Sequence, residues 1–177
     1  MTDTNRSSIG KKVALGGFAT ALAVICLYIA SILPTNRLFF YAISSMFLLA
    51  LVVEFGTGAA VAAYAATSIL ALIIIPNKLM LIPYVLFFGY YGIIKFYIEK
   101  INRLALEWII KILLFNAAMY ILYIIVIEIL FESINARFPI WVTIILGEVA
   151  FIVYDYGYSV AIGYYKYRLR KMLRLEK

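Results

Sequence analysis

Apolar residues run through this chain in long blocks, without the alternating or amphipathic stripes of a water-soluble fold. From Val13 to Asn36, 24 residues pass without a charge, and Leu38 to Val53 gives 16 more, closed by Glu54. Phe55 to Asn77 gives 23, opened by Gly56-Thr57-Gly58, and Leu79 to Ile94 gives 16, running into Lys95. A fifth span extends from about Leu104 to Leu130 and a sixth from about Phe138 to Tyr165. A helix crosses the hydrocarbon layer with about 20 residues, 17–25 being the working range. Turn chemistry separates the blocks: Pro34-Thr35-Asn36, Gly56-Thr57-Gly58, Pro76-Asn77-Lys78, and Ser133 to Pro139. The pattern predicts an all-α polytopic membrane protein, a single bundle of six transmembrane helices over residues 13–165. A tail, 1–12, precedes it and a basic tail, 166–177, follows.

Composition narrows the classes. Of the 177 residues, 66% are hydrophobic and 14% are charged, against about 25% charged in a soluble domain. Mean hydropathy is +1.01. A soluble domain this small buries only about 70% of its surface and could not hide so many apolar side chains, so a cytosolic globule and a disordered chain are both excluded. Lys11-Lys12 precede the first block, but at over 20 residues it exceeds the core of a signal peptide, about 7–15 residues, and no small-x-small site ends it. It reads as a retained helix.

Catalytic and metal chemistry find little here. Cys26 is the single cysteine and there is no histidine, which rules out an intrachain disulfide, histidine-ligated haem or zinc, and a histidine-based triad. Gly-x-Ser-x-Gly and the phosphate loop are missing, as is the acidic repeat of a metal-dependent lipid transferase. The expectation is a non-enzyme without cofactor or metal and without an ATP site of its own.

The net charge of +7 is explained by topology, not by nucleic acid. Arg6, Lys11 and Lys12 stand before the first helix, and Lys166, Arg168, Arg170, Lys171, Arg174 and Lys177 after the last. Lys95, Lys100, Arg103 and Lys111 flank the connection between helices four and five. That places 13 bases on one side and three, Arg37, Lys78 and Arg137, on the other. By the positive-inside rule both termini are cytoplasmic.

Small residues mark faces where helices approach closely in lipid. In the first helix Gly16, Ala19, Ala23, Cys26 and Ala30 form one stripe. The third carries Gly58, Ala59, Ala62, Ala63, Ala65 and Ala66. Such stripes serve internal packing or the docking of another membrane protein. On the sixth helix Glu148, Asp155 and Ser159 share a face, and Ala150, Gly157 and Ala161 lie about 160° away, which predicts a central position for that helix. Glu148 lies roughly 15 Å in from Phe138, near the midplane. An ionisable residue at that depth is a functional candidate, since its insertion costs about 2.5–3.5 kcal/mol. Asp155 is expected to form a structural pair with Lys111 or a tyrosine hydroxyl. Asn116, Tyr120 and Tyr123 share a face of helix five that could meet Glu148. Glu99 with Arg103, and Glu107 with Lys111, read as i,i+4 surface pairs. Glu128 and Glu132 share that spacing but not opposite charge. Arg37, Lys78 and Arg137 could clamp an anionic solute at the rim, and Tyr84 and Trp141 could stack on a ring.

Six helices in under 200 residues, with both ends cytoplasmic, resemble the substrate-binding subunit (S component) of energy-coupling factor (ECF) transporters. The first helix of that family opens with a basic residue and an Ala-rich run holding Ala-x-x-x-Ala. Lys12-Val-Ala-Leu-Gly-Gly-Phe-Ala19-Thr-Ala-Leu-Ala23 is similar. The resemblance covers the whole chain in topology. It implies capture of a vitamin or related micronutrient from outside, in a prokaryotic plasma membrane. The partners implied are a transmembrane coupling subunit, docked near Gly16, Ala19 and Ala23, and two ATPase subunits. The implied site lies in loops one, three and five and the outer halves of helices four to six, here Asn36, Arg37, Lys78, Tyr84, Asn116, Tyr120, Glu128, Arg137, Trp141 and Glu148. Two other classes fit the same pattern: a stand-alone carrier driven by an ion gradient through Glu148 and Asp155, and a six-helix scaffold of the cell-shape type.

Overall fold

The computed structural model describes residues 3–33, 35–125, 139–165 and 167. The described residues are helical throughout, with short turns and no strand. Helix α1 covers Asp3–Ile32, α2 Arg37–Phe55, α3 Thr57–Ile74, α5 Leu104–Ile124 and α6 Ile140–Tyr164. The fourth span, Lys78–Ile101, contains the regular helix α4, Gly89–Ile98. All six spans are long and apolar enough to cross a membrane, which makes this a multi-pass membrane protein.

Three left-handed residues turn the chain between spans. Asn36 (φ 63°) stands between α1 and α2, and Asn102 (φ 53°) between the fourth span and α5. Asparagine tolerates this region because its short side chain compensates locally. Gly56 (φ 79°, ψ 179°) joins α2 to α3, where a side chain would be strained. Its N–H still closes α2 onto the Val52 carbonyl. One end of the bundle thus carries Asn102 and Gly56, and the other carries Asn36 and the start of α6 at Pro139.

The fourth span departs from a plain helix. A 3₁₀ turn covers Lys78–Leu81, a π turn covers Tyr84–Phe88, and a second 3₁₀ turn closes Glu99–Ile101. Pro83, with no N–H to donate, sits just before the π turn. The wide turn directs Tyr84, Phe87 and Phe88 inward. Phe87 then lies 5.0 Å from Tyr91, 5.5 Å from Phe115 and 5.9 Å from Phe151, ring centre to ring centre. Aromatic packing of this kind joins the fourth span to α5 and α6.

Small residues organise the other half. Ala19, Ala23 and Ala30 of α1 and Ala60, Ala63 and Ala71 of α3 are buried, and α1 packs on α2 and α3. The stripe of α1 is therefore occupied inside the bundle, and Ala19 and Ala23 are closed to a partner. Gly16 is only half-buried, with open space where a Cβ would stand. On α3 the inward face uses Ala60 and Ala63, leaving Ala62, Ala65 and Ala66 exposed.

The sixth helix is not central. The fourth span is the most buried of the six, and α5 and α6 are the least. The inward face of α6 is Phe151, Asp155 and Tyr158, while Ala150 is exposed and Gly157 has open space beyond its Cα. Close approach is instead provided by glycines of α4. The Tyr158 ring lies against Gly92, where a Cβ would stand 1.8 Å from the hydroxyl oxygen, and Tyr64 lies against Gly89. Tyr158 is itself buried and donates to the Ser45 carbonyl at 3.3 Å, so it cannot swing away freely.

Gly92→Ala should therefore lower the apparent thermal midpoint in detergent, at a cost of about 1–3 kcal/mol. Gly157→Ala should leave it level or raise it slightly. Equal midpoints for the two variants would contradict this packing.

Candidate functional site

The seam between α5 and α6 brings together Lys111 and Asp155 at one level and Asn116 and Glu148 at another. Towards the Pro139 end it holds a groove of about 560 Å³. Phe115, Asn116, Met119, Tyr120 and Tyr123 of α5 line one wall, and Thr143, Ile144 and Gly147 of α6 the other. Spacings of three and four put each set on one helix face. Gly147 lets the Phe115 ring approach within 3.7 Å of where a Cβ would stand. Glu148, half-buried, follows Gly147 and is not itself in the groove wall; it is joined to that wall through Asn116. Asn116 joins the two walls: its Nδ2 donates to Glu148 Oε1 at 2.5 Å and to the Ile112 carbonyl at 3.0 Å. Both amide hydrogens are thus engaged. Glu148 Oε2 and Asn116 Oδ1 have no partner among the described residues.

One turn further in, Phe115 and Phe151 stack with centroids 4.7 Å apart and planes 9° from parallel. In helix register this pair separates the groove from a second cavity of about 450 Å³, whose lining includes Glu99, Glu107, Trp108, Lys111, Asp155 and Ser159.

In the wall of that second cavity lies a largely buried ion network. Tyr91, Lys95 and Glu99 are spaced four apart down the fourth span. Lys95 is fully buried; its amine pairs with Asp155 Oδ1 and with Glu99 Oε1 at 2.9 Å. Lys111 of α5 reaches Asp155 Oδ2 at 3.2 Å and Glu99 Oε1 at 3.1 Å. The Tyr91 hydroxyl donates to Asp155 Oδ1 at 2.5 Å, and Ser159 Oγ donates to the Asp155 carbonyl at 3.0 Å. Two amines face two carboxylates, and both oxygens of Asp155 are occupied. Such neutrality is what a low-dielectric interior demands, because an unpaired buried charge is far more costly than a pair. The network ties the fourth span, α5 and α6 together.

The expected Lys111–Asp155 pair is present. Lys95 was expected at the membrane surface as a topology marker and is instead the centre of the network. A clue lay in the length of its block: 16 apolar residues are too few to cross, so Lys95 had to enter the membrane. Two expected surface pairs are replaced. Asn102 is left-handed and Arg103 extended, so Glu99 and Arg103 are no longer one helical turn apart, and Glu99 turns to the lysines. Lys111 points to Asp155 and Glu99, leaving Glu107 on the wall of the inner cavity.

The expected rim site is not assembled by the described residues. Arg37 Nε donates to the Leu33 carbonyl at 3.1 Å, and Lys78 Nζ to the carbonyls of Ile75, at 2.7 Å, and Leu72. Both bases thus serve the carbonyl ends of preceding helices. Asn36 is a turn residue whose carbonyl accepts from Phe39 at 3.1 Å. Tyr84 is wholly buried beside Tyr64 and has no face for a ligand. Trp141 is 62% exposed, on the helix face of Ile144 and Glu148 but not in the groove wall. Glu128, Glu132 and Arg137 lie outside the described residues. Asn116, Tyr120 and Glu148 are the expected site residues that meet. Phe115, Met119, Thr143 and Gly147 were not anticipated, since no residue type among them marks a site.

No family model, curated protein or solved structure matches this chain.

Asp155→Asn should lower stability by about 3–5 kcal/mol, because it leaves two buried amines facing one carboxylate. Ser159→Ala should change little. Thermal unfolding in detergent checks both, and an Asp155→Asn midpoint equal to that of the native chain would contradict a paired network.

Proposed function

We propose that the chain is an integral-membrane substrate-binding subunit of the ECF type, capturing a small micronutrient from outside for uptake powered by separate subunits. The observation that carries this reading is the Asn116–Glu148 bridge at the inner edge of the α5–α6 groove. A carboxylate at membrane depth is costly, and here one oxygen and the neighbouring amide oxygen are left to an occupant. A volume of about 560 Å³ is within the usual range for small-ligand sites, about 300–1,000 Å³. The ion network, by contrast, occupies both Asp155 oxygens and balances its charges, and it acts as the anchor that ties α5 and α6 to the fourth span.

In this reading the coupling subunit does not dock on Ala19 and Ala23. The face of α1 that stays exposed carries Ala14, Gly17 and Ala21 at spacings of three and four, and it takes that role. The plasma membrane of a prokaryote and cytoplasmic termini belong to the same proposal.

A second reading has a specific observation in its favour. Four ionisable groups converge beside the inner cavity, as they would in a stand-alone carrier driven by an ion gradient. No contact favours the scaffold reading in the same way.

Mild-detergent purification followed by native mass spectrometry separates these readings. The ECF reading predicts a bound small solute, lost in Thr143→Trp, which fills the groove, together with a transmembrane coupling subunit and two ATPases. Retention of solute by Thr143→Trp would contradict the groove. Solute without partners, with uptake following an ion gradient, would favour the carrier.

A further inference from the structure

We infer that the α5–α6 groove selects an organic cation: an ammonium group on a compact apolar body. This rests on the reading of the groove as a solute site and names the class of solute. The groove offers acceptors and ring faces but no base. Asn116 uses both its amide hydrogens within the protein, so its remaining polar atom is Oδ1, and the Glu148 carboxylate it holds lies directly behind it. Tyr120 and Tyr123 place aromatic rings on the same wall, where Phe115 already stacks one face on Phe151. Rings of this kind attract cations within about 6 Å by their quadrupole, most strongly where water is excluded.

No lysine or arginine lines the groove among the described residues. Arg37 and Lys78, which an anionic solute would need at the rim, are held by backbone carbonyls. Lys111, one turn beyond the Phe115–Phe151 stack, is held by Asp155 and Glu99. An acid entering this groove would approach the Glu148 carboxylate behind Asn116 with no base in the wall to offset it, whereas an amine would meet an amide acceptor, rings and a nearby counter-charge. The apolar remainder of the lining, Met119 and Ile144, suits a hydrocarbon body.

Two probes of similar size and opposite charge, benzylammonium and phenylacetate, test the inference by titration calorimetry on the full chain in lipid nanodiscs. Benzylammonium should bind at least tenfold more tightly than phenylacetate. Glu148→Gln should remove that preference by weakening the cation alone, and Tyr120→Leu should weaken it severalfold. Tyr120 is 66% exposed and can be replaced without disturbing the core, so the inference stays testable through Tyr120→Leu if Glu148→Gln fails to fold. Preference for phenylacetate, or a cation preference that survives Glu148→Gln, would overturn the cation class while leaving the groove as a solute site. Silence from both probes, with a lipid or a second copy of the chain held in the groove and released by Thr143→Trp, would overturn the solute reading along with it.

Discussion

Charge inside a lipid-embedded bundle has to be answered by other protein groups, and that constraint sets the arrangement of the last three spans. Asp155 can sit on α6 only because Lys95, Lys111 and Tyr91 reach it from two other helices. Without that convergence α5 would have little to hold it: Lys111, Phe115 and Ala118 are its only buried side chains among the described residues. The first three helices are held differently, by alanines that let backbones approach and by buried side chains of α2 such as Tyr41, Leu48 and Leu51. Glycines of α4 complete the join, since the hydroxyl end of Tyr158 abuts the backbone at Gly92.

The two polar stations along the α5–α6 seam have opposite characters. At Asp155 every acceptor oxygen is matched and the local charge balances, which is the signature of a structural anchor. At Glu148 one oxygen is matched by Asn116 and the other has no partner among the described residues, next to a groove with one aromatic wall. The stacked Phe115–Phe151 pair stands between them and keeps the two apart. The difference in satisfaction, rather than any difference in residue type, is what distinguishes the station that holds the bundle from the one suited to a ligand.

Much of the fold was legible because lipid imposes a length on apolar blocks, and six such blocks are plain in the chain. The Lys111–Asp155 pair and the Asn116 face were legible for a related reason, namely that polar groups at depth must find one another. Helix centrality was not. An acidic face and a small-residue face on opposite sides of α6 promised protein on both, yet Tyr158 and Phe151 met the glycines and rings of the fourth span, leaving Ala150 and Gly157 outside. Sequence spacing also concealed the fate of the rim bases. Arg37 and Lys78 follow closely on helix ends, and their long side chains fold back onto unpaired carbonyls nearby before any solute is involved. The Glu99–Arg103 spacing misled because the left-handed Asn102 breaks the helix between them.

The central claim is that the seam near Glu148 is an aqueous pocket entered from the Pro139 end and not a crevice filled by acyl chains. Cys26 is the only native thiol, so a Cys26→Ser background permits single cysteines to be placed at Thr143 in the groove and at Val149, exposed on α6 away from both cavities. In sealed membrane vesicles, a membrane-impermeant charged methanethiosulfonate should modify Thr143→Cys from the Pro139 side and leave Val149→Cys untouched. Protection of Thr143→Cys equal to that of Val149→Cys from both sides would contradict a water-filled groove.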